Sequence, residues 1–405
     1  MYAFSKSVEQ LRSSEIRDLM KLATQPGIIS FAGGMPNNDL FPVKEIDNIY
    51  NNLTPEIKKT AFQYGPTPGY PPLLNSLKKF LKKKGLPVDS NKLLITTGSL
   101  QAINILTKEF IDPEDIILTE NPSFIGAISV FKSYQARMES IPVDKEGIDI
   151  GYLKKKIEHL PKKPKFLYVT PNFHNPAGIT YSKARRKELL DFLGNKDILL
   201  IEDDAYNDLY FNEEAKEMAI PMKCNEPENV TICYTGSFSK ILGPGFRLGW
   251  LLVNNEIYEK CELIKQAMDA CSPNFTQVLA NEFLSQGKIY PYLDFLRKEY
   301  SQRKIMMDNA LKKYMPDYVK WNEPNGGFYY WCTLPAVYDS SEIMKIAIKN
   351  GAVFVSGKTF DPAGVKNNNF RLSFSNMDKD QIDTGIKIIA DSIEEYANDK
   401  SNVKL

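Results

Sequence analysis

The sequence predicts an α/β fold with a largely parallel sheet and a smaller α+β portion at its C-terminal end. Two observations carry this. Between residues 90 and 255, short apolar runs alternate with segments of helical periodicity. Such runs, joined through helices, are the mark of strands buried on both faces. Polar residues collect at the ends of the runs, where ligands of such sheets sit.

In chain order, FAGGMPNNDLFP (31–42) reads as a Gly/Pro-punctuated loop. KLLITTG (92–98) reads as a strand, and SLQAINILTKEF (99–110) as the helix after it. DIILTENP, KFLYVTPN, DILLIEDD, VTICYTGS and FRLGWLLV are the next strand candidates, with helical SKARRKELLDFLGN (182–195) between two of them. Their ends carry Thr97-Gly98-Ser99, Asn121-Pro122, Asn172 to Asn175, Asp203-Asp204 and Ser237 to Lys240. The C-terminal third offers the strands GGFYYWCTL, AVFVSG and NFRLSF, then an amphipathic closing helix over 378–399.

Composition bounds the function. The 405 residues are 43% hydrophobic and 25% charged with a net charge of +1, which supports a large core and gives no field to recruit nucleic acid or membrane. The lysine clusters at 78–85 and 153–165 read as solvated faces. No run has the length of a signal peptide or a membrane span. Five cysteines (Cys224, Cys233, Cys261, Cys271 and Cys332) form no CxxC pair, so reduced thiols and a cytoplasmic location are expected. With only His159 and His174 present, a histidine-rich metal site is excluded. Gly357-Lys358-Thr359 looks like the tail of a phosphate loop, but the glycine that motif needs upstream is Ala352. A nucleophile elbow, GxSxG, is absent.

The chemistry concentrates in TGSFSKILGPGFRLG (235–249), where Lys240 sits among hydroxyls and glycines with Arg247 seven residues on. A lysine amine becomes useful when it forms a Schiff base with a carbonyl cofactor. Pyridoxal phosphate asks a protein for that lysine, a carboxylate at its ring nitrogen, a donor to its ring oxygen, and hydroxyls, backbone N–H groups and an arginine at its phosphate. Lys240, the IEDDAY strand end, and Ser237, Ser239 and Arg247 with the helix start at Ser99 supply this set.

Ten motifs in one order carry a resemblance over nearly the whole chain: SSEIR, FAGGMPNNDLF, QYGPTPGYPPL, TTGSLQA, ENPSF, PNFHNPAG, IEDDAY, SFSKILGPGFRLGW, NGGFYYW and FRLSFS. The chain resembles the fold-type-I pyridoxal-phosphate aminotransferases, nearest the kynurenine and 2-aminoadipate branch. The resemblance implies a seven-stranded, mostly parallel sheet in a large domain (46–288), a small domain (31–45 and 289–405) and an N-terminal arm (1–30). It makes Lys240 the Schiff-base lysine and proton shuttle, Asp203 the partner of the ring nitrogen, and Tyr206 and Asn175 the donors to the ring oxygen. Phe124 becomes the stacking ring, and Ser99, Gln101, Ser237, Ser239 and Arg247 the phosphate cup. Leu100 stands where this branch usually has a polar residue. Tyr64 is expected at the phosphate of a neighbouring subunit, hence a homodimer with shared sites. Arg371 is expected on the substrate α-carboxylate, Gly34 close to the substrate, and Arg17 on a distal carboxylate. Asp204 and His174 are read as bystanders, and the bonds at Asn121-Pro122 and Asn175-Pro176 as candidates for the cis form.

The implied reaction moves an amino group between an L-amino acid and 2-oxoglutarate in two half-reactions. The amino acid is 2-aminoadipate, kynurenine, or of the aromatic or branched-chain type. Two rivals remain: other pyridoxal chemistry such as β-elimination, and a regulator-type cofactor-binding domain without catalysis.

Overall fold

The structure is a computed structural model that describes residues 2–9, 18–19, 21, 25–365 and 367–402. One sheet of eight strands dominates: β2 (Lys92–Thr96), β3 (Ile116–Asn121), β4 (Arg137–Asp144), β5 (Gly147–Ile148), β6 (Phe166–Val169), β7 (Leu199–Asp203), β8 (Ile232–Ser237) and β9 (Gly249–Val253). Their spatial order is β2-β9-β8-β7-β6-β3-β4-β5. Pairing is parallel from β8 through β4, while β9 runs antiparallel to both neighbours. Seven of these strands are a mostly parallel sheet of the expected kind. The eighth, β5, is a two-residue hairpin partner of β4 at the edge.

Each central strand is buried on both faces, which is why it reads as a solid apolar run. Phe166 and Tyr168 pack on one side with Ile103, Phe131 and Ile201, while Leu167 and Val169 pack on the other with Leu118, Leu189 and Leu200. The helices that cover these faces include α1 (Ser99–Phe110), α2 (Lys183–Leu193) and α3 (Asn255–Asp269). The sequence reading missed β4. Its RMESIPVD carries charges and lies near the sheet edge, only partly buried, so it lacks the apolar run that marks its neighbours.

A second, antiparallel sheet joins β10 (Lys320–Trp321), β11 (Tyr329–Thr333), β14 (Asn369–Ser373) and β13 (Val355–Ser356) in that order. The closing helix α4 (Lys379–Asn402) follows it. β1 (Ile29–Ser30) pairs in parallel with β12 (Ala352–Val353). Phe31 then accepts a hydrogen bond from Ser373 N–H at 3.0 Å, so the Gly/Pro loop from Ala32 onward is held beside β14. Gly357-Lys358-Thr359 lies in a single 3-10 turn after β13, not in a phosphate loop.

Candidate active site

The carboxyl ends of β2, β3, β6, β7 and β8 share one edge of the large sheet, and β9 begins there because it runs the opposite way. A cavity of about 350 Å³ opens at that edge. Lys240 reaches it from the 3-10 turn Phe238–Lys240 directly after β8. Its Nζ donates to the Gly34 carbonyl at 2.7 Å and lies 5.5 Å from the centre of the Tyr206 ring. Burial, with Arg371 and Arg247 nearby, lowers its pKa to about 8.

Asp203 is the last residue of β7. Its Oδ2 accepts from the Tyr168 hydroxyl at 2.7 Å, while its Oδ1 is buried without a partner among the described residues. Burial pushes the carboxyl up to about 7; the Tyr168 hydrogen bond opposes this, and Asp204 and Glu120 add to it. Tyr206 meets the Tyr329 hydroxyl at 2.8 Å. Burial and Tyr329 raise its pKa well above the ordinary tyrosine value, so the phenol keeps its proton.

Arg371 comes from the second sheet, 2% exposed on β14. Nη1 donates to Asn175 Oδ1 at 2.8 Å and Nη2 to the Ala32 carbonyl at 2.5 Å; Nε has no partner among the described residues. The guanidinium carbon lies 4.4 Å from the Tyr329 ring centre and 4.8 Å from that of Phe360.

The opposite wall is an anion cradle. Ser99 opens α1 after Gly98, whose φ of +83° only glycine adopts freely. Ser237, Ser239 and Arg247 face it. Arg247, at φ +51°, donates to the Pro244 and Thr97 carbonyls at 3.2 and 3.3 Å. A Cβ on Gly249 would lie 2.6 Å from Gly98 C and 2.7 Å from Ser99 N, so only glycine lets β9 press against the start of α1.

Eleven predicted residues thus line one cavity: Gly34, Ser99, Phe124, Asn175, Asp203, Tyr206, Ser237, Ser239, Lys240, Arg247 and Arg371. Gln101 does not. It sits at the third position of α1, where its Oε1 turns back to accept from Thr97 N–H at 2.7 Å and its Nε2 donates to Asp269 at 2.7 Å. Tyr64 stands 84% exposed, outside this cavity. Arg17 lies outside the described residues, as does Ser14.

Tyr329 was missed by sequence reasoning. It lies in NGGFYYW, whose unbroken apolar character does not say which ring faces the site. Its hydroxyl occupies the space that a Cβ on Gly34 would fill, so the Gly34 pairing is steric. Leu100, Ile125 and Met35 also line the cavity. Asp204 is turned away, accepting from Asn172 Nδ2 at 2.9 Å and the Tyr234 hydroxyl at 3.0 Å. His174 is buried and braces the Asn175 loop. Its Nδ1 accepts from Ala177 N–H at 3.0 Å, which leaves Nε2 to donate to Glu120 at 3.1 Å. Both Asn121-Pro122 and Asn175-Pro176 are cis.

A strand-end lysine, an unpaired aspartate oxygen and an anion cradle at one sheet edge are the equipment of a pyridoxal-phosphate enzyme. The chain belongs to the class I and II aminotransferases, a family that matches residues 37–389. It is 35% identical over 396 residues to aromatic-amino-acid aminotransferase 1 of Thermococcus litoralis, covering 97% of this chain and 94% of that one. It is 34% identical over 385 residues to the 2-aminoadipate transaminase of Thermus thermophilus, covering 95% of each. Its fold superposes with a TM-score of 0.92 on the Pyrococcus horikoshii kynurenine aminotransferase, at 38% identity and 97% coverage of both chains.

The residues present fit the cofactor. Asp203 Oδ1, buried and unsatisfied, is an acceptor awaiting a donor, and a pyridinium N–H is one. The start of α1 and Arg247 suit a phosphate. Bound there, pyridoxal phosphate supplies a carbonyl for the Lys240 amine and an electron-withdrawing ring for the substrate α-carbon.

Proposed function

We propose that the protein transfers amino groups between an aromatic or similarly apolar L-amino acid and 2-oxoglutarate, with Lys240 as the proton carrier at the substrate α-carbon. The observation that carries this is the meeting in one cavity of Lys240 and Asp203 from the large sheet with Arg371 from the second. Arg371 holds the α-carboxylate, because its Nε is unpartnered while Asn175 and Ala32 fix its fork. Lys240, its pKa lowered to about 8, gives up its proton far more readily than a solvated lysine, and in its neutral form it takes the α-proton on Nζ. Asp203 holds charge against the ring nitrogen, and Tyr206 and Asn175 donate at the ring oxygen. Phe124 stacks on the ring, while Ser99, Ser237, Ser239 and Arg247 take the phosphate. Leu100, Ile125, Met35 and Tyr329 favour an apolar side chain. The relatives that act on aromatic amino acids and kynurenine support the same class.

We further infer a cytoplasmic homodimer with a large domain over 46–288 and a small domain over 31–45 and 289–405. The separate sheets support the division. Unpaired cysteines support the compartment, and exposed Phe62 and Tyr64 support the dimer.

The test is the visible spectrum of the protein loaded with pyridoxal phosphate, followed in separate samples after glutamate or phenylalanine is added. The expected result is bleaching of the yellow band with 2-oxoglutarate and phenylpyruvate released. An unchanged band with both donors, or release of ammonia and pyruvate from serine, would reject transamination of this class.

A further inference from the structure

Beneath the anion cradle lies a network that the chemistry above does not use. α3 ends on Asp269, and three features there each cost stability. A carboxylate at a helix C-terminus faces the negative end of the helix dipole. The next residue, Ala270, takes φ +59° and ψ −52°, and Cys271 N–H closes a three-residue turn on the Asp269 carbonyl at 2.6 Å. That is the strained hand of the γ-turn. One turn back, Lys265 has a fully buried side chain, and its Nζ donates to Asp269 Oδ1 at 2.6 Å.

What the three features secure is the cradle. Asp269 Oδ2 accepts from the Thr97 hydroxyl at 3.0 Å and from Gln101 Nε2 at 2.7 Å. Gln101 Oε1 in turn accepts from Thr97 N–H, and Arg247 donates to the Thr97 carbonyl. The Thr97 hydroxyl also meets the buried Ser272 hydroxyl at 3.1 Å. Every polar atom of Thr97 is therefore fixed, one residue ahead of Gly98-Ser99. Burial pushes the Asp269 carboxyl up, but hydrogen bonds from Lys265, Gln101 and Thr97 hold it below the ordinary aspartate value, so it stays ionised.

We propose that Asp269, neutralised by Lys265, is a positioning residue that sets the Thr97–Gln101 cradle for the cofactor phosphate. It touches neither cofactor nor substrate; it acts through Thr97 and Gln101. Preorganised donors bind an anion without reordering cost, so the effect falls on the phosphate and not on the ring. The proposal rests on the phosphate assignment above.

Apo-protein is titrated with pyridoxal phosphate and, separately, with pyridoxal, reading absorbance and protein fluorescence. Pyridoxal has the same ring and aldehyde but no phosphate. For Asp269→Ala and for Thr97→Val, we expect the Kd for pyridoxal phosphate to rise about tenfold or more, the scale of one lost charge-assisted hydrogen bond. The Kd for pyridoxal should stay within about twofold. A parallel loss for both ligands, as general unfolding would give, overturns the proposal, as does no loss for either. If Asp269→Ala does not fold, Thr97→Val decides alone, since it removes only the hydroxyl bonds to Asp269 and Ser272. Wild-type protein that shows no preference for pyridoxal phosphate over pyridoxal defeats the phosphate assignment itself, a failure distinguishable because it needs no variant.

Discussion

At the residue scale, the site buries Asp203 and Arg371 and leaves Asp203 Oδ1 and Arg371 Nε without a partner among the described residues. Lys240 would be protonated in water, but in the cavity its pKa falls to about 8. Trapping of Lys240 in the apo-protein by an aldehyde and borohydride should therefore rise with a midpoint near pH 8. A midpoint above pH 10 would mean that Lys240 is solvated. Asp203 is shifted the other way, from 3.8 up to about 7. Between those values the folded apo-protein binds the proton that the unfolded chain has lost, so stability falls as pH rises through this window and the penalty persists above it. Asp203→Asn should thus raise the apo-protein Tm at pH 8 and leave it little changed at pH 3.5. The same variant should lower kcat by about 10²–10³-fold, since a fixed charge at the reacting group is lost. Equal Tm for variant and wild type at pH 8 would refute the buried carboxylate.

Most of these residues were legible in the sequence because charged or hydroxyl side chains stood out at the ends of apolar runs. Tyr329 was not legible, since in FYYW the strand periodicity does not say which ring faces the site. Gln101, expected at the phosphate, turns its side chain to Thr97 and Asp269. Its position two residues after Ser99, at the third place of α1, is where a glutamine side chain returns to the helix start.

Among the elements, β9 matters most. It is antiparallel, so its first residues, with Arg247 just before them, meet the carboxyl ends of the parallel strands. Gly249 lets it pack against the backbone of Gly98 and Ser99. Gly249→Ala should cost about 1–3 kcal/mol of stability by overpacking. Because the clash falls on the cradle backbone, it should also weaken pyridoxal phosphate binding more than pyridoxal binding. A thermal melt and the two titrations check this; unaltered values in all three would show that β9 can retreat freely. β14 plays the matching part in the second sheet, with Arg371 opposite Trp331 and the Gly34 loop bound along its edge. The apolar runs announced both strands, but their direction and neighbours were not written in the runs.

For the whole molecule, the proposed dimer would cover the exposed Tyr64 and Phe62. If Tyr64 serves the partner's phosphate site, Lys240→Ala and Tyr64→Ala protein, each nearly inactive, should regain activity when unfolded together and refolded as mixed dimers. In such a pair the Lys240→Ala chain lends its Tyr64 to a site with an intact lysine. No recovery, with mixed dimers shown by mass, would place Tyr64 in its own subunit's chemistry or in none.

By itself, the sequence determined the alternation of strand and helix, the polar strand ends that meet at the cavity, and the lysine, aspartate and arginines proposed to carry the chemistry. These are local signals: buried strands are apolar, and functional groups interrupt them. Only the tertiary structure decided that Arg371, from the second sheet, meets Asn175 across 196 residues of chain, that Tyr329 enforces Gly34, and that Gln101 braces the cradle with Asp269. The physical reason is that such partners are chosen by packing between distant segments, where a side chain's direction depends on the helix or strand pressed against it.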